Sequence, residues 1–113
     1  MESKPISTET DLRGGTRIPF NQEVLVNYKT FGLIKDISIS GCFIEIKKIF
    51  GLGQDVFLRF NLVSPQKPFI QTKARVVSIR PGEGVGVKFS FDGEESPKII
   101  QQFIDQILND KKI

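Results

Sequence analysis

The chain has 113 residues, with 16 Lys and Arg against 13 Asp and Glu, one Cys and no His. One cysteine excludes a disulfide framework, and the lack of His removes closed zinc sites and the imidazole of Ser-His-Asp or Cys-His catalysis. No apolar run approaches the ~18 residues of a membrane helix and the polar start lacks a signal-peptide core, so a single cytoplasmic domain without membrane insertion is expected.

Residues 1–11 carry Lys4 against Glu2, Glu9 and Asp11, and Ile6 is their one apolar residue after Met1. They read as a flexible N-terminal arm. The charge then reverses: residues 12–91 hold a net +7, and residues 92–113 return to −2. A basic body between acidic ends suits an anionic partner, although Lys also blunts strand edges for solubility alone.

From Glu23 onward the apolar period is two. Val24, Val26 and Tyr28 share one face of a first strand, and in Leu33–Ser38 the residues Ile34, Asp36 and Ser38 oppose Leu33, Lys35 and Ile37. Cys42, Ile44 and Ile46 define a third strand, with Cys42 a buried small apolar residue, and Val56, Leu58, Phe60 and Leu62 a fourth. Ile70–Ile79 is a long fifth strand, and Val85, Val87, Phe89 and Phe91 line the sixth. Turn chemistry separates them at Thr30-Phe31-Gly32, Gly51-Leu52-Gly53, Ser64–Pro68 and Pro81–Gly84. Six short strands at this spacing predict a small antiparallel barrel or sandwich over about residues 20–91. The period then changes. Ser96 suits an N-cap and Pro97 the first helical position, and Ile99, Ile100, Phe103, Ile104, Ile107 and Leu108 recur at helical spacing. A helix over about 97–109 is predicted to close one end of the barrel, leaving 110–113 as a tail.

Two clusters stand out from the strand pattern. Arg13-Gly14-Gly15-Thr16-Arg17 places two arginines four apart around two glycines. Such a loop has almost no preferred conformation until something holds it, and a guanidinium offers a planar fork to phosphate or to guanine O6 and N7. Asp36-Ile37-Ser38-Ile39-Ser40-Gly41 puts a carboxylate and a hydroxyl one pitch apart, at the end of a strand. They can accept from guanine N–H groups or donate to a phosphate oxygen. Equally, Asp and Ser bond local backbone and cap turns.

Together the clusters read R-x-x-x-R, eighteen residues, then D-x-S-x-x-G. This resembles the PilZ domain family of bacterial cyclic di-GMP receptors at Arg13, Arg17, Asp36, Ser38 and Gly41. Gly84-Val85-Gly86-Val87-Lys88-Phe89 is similar to the family's last barrel strand. The resemblance implies a six-stranded antiparallel PilZ-type β-barrel with a C-terminal α-helix, spanning residues 12–109. It implies a non-enzymatic receptor with no cofactor, whose ligand is cyclic di-GMP. Arg13 and Arg17 would clamp the phosphates and guanine edges, Asp36 and Ser38 would meet the guanine end, and Gly41 would leave room. Leu12, Gly14 and Gly15 would add contacts. Binding would order the arginine loop and change contacts with a downstream protein in motility or exopolysaccharide and biofilm control.

Two other classes compete. A PilZ-like adaptor would work through protein contacts without nucleotide, but such relatives typically lack the arginines found here. A single-stranded nucleic-acid barrel would draw on the +7 body and on Phe57 beside Arg59. It ranks below the others because no aromatic pair on a polar face is evident as a stacking platform.

Overall fold

A computed structural model describes residues 16–62 and 69–111. Six strands run in chain order: β1 Ile18–Val26, β2 Thr30–Ile37, β3 Gly41–Glu45, β4 Asp55–Asn61, β5 Phe69–Arg80 and β6 Gly84–Ser90. One helix, α1, covers Glu95–Lys111. All strand pairs are antiparallel, and the order β1-β2-β3-β6-β5-β4 closes on itself through Val24–Val26 of β1 against Leu58–Phe60 of β4. Closure leaves no open sheet edge. No helix among the described residues is long and apolar enough to cross a membrane.

The period-two faces turn inward as expected. Val24, Ile34, Cys42, Ile44, Leu58, Ile70, Ala74, Val76 and Val87 are buried in one core. Burial pushes the Cys42 thiol far above its ordinary range, so it stays protonated and inert. The helix closes one end: Ile100, Phe103 and Ile104 are buried, and the Phe103 ring stands edge-on to Phe20 at 5.4 Å. Its hydrogen bonding begins earlier than the sequence suggests. Lys98 N–H donates to the Glu94 carbonyl at 3.2 Å, so Ser96 and Pro97 sit inside the first turn.

Three bulges interrupt the alternation. Each inserts one extra residue and rotates the side chains that follow it. On β1 the slip lies between Pro19 and Gln22, which lets the strand begin at Ile18 despite a polar stretch. On β2 the register steps from Ile34 to Asp36 while β3 advances only from Ile44 to Phe43. On β5 it falls between Val76 and Ser78.

The first turn also moves. It lies at Asn27–Lys29, with φ of 54° and 65° at Asn27 and Tyr28, rather than at Thr30–Gly32. Asn tolerates the left-handed region, and its Oδ1 accepts from Phe57 N–H at 2.8 Å. Tyr28 is thereby turned off the Val24–Val26 face and stacks on Phe57 outside the barrel, with ring centres 5.1 Å apart. This is an aromatic pair the strand pattern did not reveal. The predicted turn at Ser64–Pro68 lies outside the described residues.

Candidate functional site

The β2 bulge determines how the second sequence cluster is presented. Because Lys35 is the extra residue, Ile34 and Ile37 both point into the core and Asp36 turns outward. Asp36 and Ser38 nonetheless do not share an exposed strand face, because Ser38 lies past the end of β2, in the turn that folds back to β3. The Asp36 side chain is 37% exposed, whereas Ser38, just past the strand end, has 0% exposure.

Ser38 organises the turn into β3. Its N–H donates to the Gly41 carbonyl at 2.8 Å, and its Oγ accepts from the N–H groups of Ser40 and Gly41, each at 3.3 Å. The Ser38 and Ser40 hydroxyls also lie 3.2 Å apart. These bonds satisfy a buried polar group and fix the loop conformation. Gly41 is set by packing: a Cβ there would run into the Val87 carbonyl oxygen of β6. The Ser40 carbonyl accepts from Phe89 N–H at 2.8 Å, tying the turn to β6.

Asp36 holds Arg17. Arg17 Nε donates to Asp36 Oδ1 at 2.9 Å, and Arg17 Nη2 lies 2.6 Å from the same oxygen. At this exposure such a pair contributes only about 0–1 kcal/mol, so its main effect is to orient the guanidinium. Thr16 and Ile39 line a cleft of about 180 Å³ with Gln101, Asp105 and Leu108 of α1. The segment leading into Arg17 thus borders both the Ser38 turn and the helix.

The structure brings together Arg17, Asp36, Ser38 and Gly41, nineteen or more residues apart in the chain for Arg17 and the rest. Leu12, Arg13, Gly14 and Gly15 lie outside the described residues. Lys88 is one cation the motif does not contain. It is the register partner of Gly41 and is exposed. Its only signal is the β3–β6 pairing, which chain distance hides.

A PilZ domain family profile matches residues 11–106. Among solved structures, the Bacillus subtilis inhibitor of motility, MotI/DgrA, superposes with a TM-score of 0.67 at 19% sequence identity, covering 82% of this chain and 49% of that one. The chain thus spans about half the length of that structure, and the likeness is one of fold. No protein with a curated description matches. With the profile covering nearly all of the barrel and helix, this chain belongs to the PilZ domain family.

Proposed function

We propose that this chain is a cyclic di-GMP receptor. PilZ domains are non-catalytic receptors, typically for this nucleotide. The observation that carries the reading is an arginine oriented by Asp36 beside a turn locked by Ser38. A guanidinium held in position can take phosphate or a guanine edge with little further loss of rotamer freedom. In this reading Arg13 supplies the second fork, and Asp36 exchanges part of its grip on Arg17 for guanine N–H groups.

Ser38 acts through the turn. It holds backbone N–H groups and Gly41 so that the nucleotide meets a rigid surface. Arg13 and Arg17 closing on one ligand sets the position of residues 1–11 against the barrel, and a downstream protein reads that change. MotI/DgrA is an inhibitor of motility, which makes motility one output to test alongside exopolysaccharide control.

Titration calorimetry of the purified chain with cyclic di-GMP tests the reading. Micromolar or tighter binding is expected, and Arg17→Lys should lose most of it because the charge stays but the planar fork goes. An absence of heat at tens of micromolar of folded protein would refute nucleotide binding and favour the adaptor reading.

A further inference from the structure

Among the described residues six large apolar side chains are exposed: Tyr28, Phe31, Ile49, Leu52, Val77 and Ile79. All six belong to the end of the barrel away from α1. They lie at the β1–β2 turn and the start of β2, in the β3–β4 connection, and in the last four residues of β5. Two of them, Val77 and Ile79, lie at and just beyond the β5 bulge. Up to Val76 the strand alternates between buried and exposed, but after the slip Val77, Ser78, Ile79 and Arg80 are all exposed. Ile49 is 90% and Leu52 68% exposed on the neighbouring connection, where Gly53 N–H donates to the Val76 carbonyl at 2.8 Å.

Between that connection and the β5–β6 hairpin lies a cleft of about 290 Å³. Its floor is apolar, made by the buried Phe50 and Val85, and its walls include Ile49 and Ile79. Its remaining charged lining is Lys47, Lys48 and Arg80, with no carboxylate among the described residues. Arg80 is held at the rim by the Phe43 ring, its guanidinium carbon 4.5 Å from the ring centre. The volume is nearly twice the roughly 150 Å³ that accepts a benzene ring, so one or two apolar side chains fit.

We propose that this cleft docks an acidic segment of a partner protein. One or two aromatic or aliphatic anchors of the segment would enter between Ile49 and Ile79, and flanking carboxylates would meet Lys47, Lys48 and Arg80. The recessed apolar floor at Phe50 and Val85 suits an inserted side chain better than a flat lipid surface.

Selection of random dodecapeptides displayed on phage against the purified chain, without nucleotide, tests the assignment independently of cyclic di-GMP binding. The expected winners carry Asp or Glu around an aromatic or Leu. Fluorescence anisotropy with a labelled winning peptide should then show at least about a tenfold loss of affinity in Ile79→Asp and in the double variant Lys47→Glu, Lys48→Glu. All three positions are exposed, so both variants should fold, and circular dichroism checks this. Winners without carboxylates, or affinity untouched by both variants, would overturn the proposal. So would phosphatidylserine vesicles that sediment the wild type but not Ile79→Asp, pointing to a lipid surface. Self-association abolished by Ile79→Asp would instead assign the cleft to a second copy of the chain.

Discussion

The two ends of the barrel are built on opposite terms. Strand β3 joins them, spanning Gly41 to Glu45, roughly 14 Å at the usual rise per residue. At the Gly41 end the helix covers the barrel mouth, the Ser38 turn is fully bonded, and the chemistry consists of a paired arginine. At the Glu45 end no helix among the described residues covers the mouth, and the exposed apolar side chains gather there beside Lys47, Lys48 and Arg80. The difference separates two recognition modes on one small scaffold. A rigid, polar, preorganised surface suits a small anion, and an open apolar cleft suits a side chain brought by another protein.

The largest expected effect falls on the first end alone. Arg17→Ala removes a charge-assisted donor from the proposed nucleotide site and should weaken cyclic di-GMP binding about a hundredfold by calorimetry. Ile79→Asp, at the far end, should leave that affinity within about twofold, since well-separated sites act independently. A loss of nucleotide affinity in Ile79→Asp would join the two ends into one functional unit.

Stability effects come next, and they too belong to the Gly41 end. Gly41→Ala forces a methyl group against the Val87 carbonyl, which cannot retreat without breaking the β3–β6 ladder. Chemical denaturation should show a loss of about 2 kcal/mol. Ser38→Ala leaves the N–H groups of Ser40 and Gly41 without the Oγ that they share, at a cost of about 1 kcal/mol. Both variants should also weaken nucleotide binding if the turn acts as a rigid platform. Full affinity in a folded Ser38→Ala would reduce Ser38 to a purely structural residue.

These placements show which parts of the molecule could be read from the chain. Period two located the core residues of β3 to β6 and of the end of β1, because the inner face of a closed barrel is mostly apolar; it missed Ile18 and Phe20, and on β2 it set Ile34 and Ile37 on opposite faces. The helix was legible from six apolar residues on one stripe. The bulges were not, because an extra residue on β2 is decided by pairing with β3 and leaves no local mark at Lys35. That one residue carried Asp36 outward while the turn beyond Ile37 buried Ser38, so the motif was legible while its geometry was not. The exposure of Ile79 was hidden for a related reason. An isoleucine in a strand pattern reads as core until the register shows that nothing covers it.

The smallest effect contrasts two ion pairs of similar geometry. Arg75 Nε donates to Asp55 Oδ1 at 2.9 Å, as Arg17 does to Asp36. The Asp55 pair, however, stands at the start of β4, toward the open end, with side chains 60% and 68% exposed. The hydrogen bond and charge of Arg75 hold the Asp55 carboxyl below its ordinary value of 3.8. A depressed carboxylate stabilises the fold above its unfolded pKa and loses that contribution as pH falls through the folded value. The melting temperature of wild type should therefore exceed that of Asp55→Asn slightly at about pH 6, and the gap should close by about pH 2.5. Added salt should narrow it too, because the pair is solvent-screened. Nucleotide affinity should not change in Asp55→Asn, since none of the described residues of the proposed ligand site touches this pair. An equal loss of affinity in Asp55→Asn and Asp36→Asn would show that Asp36 contributes only background charge, and would remove its role in orienting Arg17.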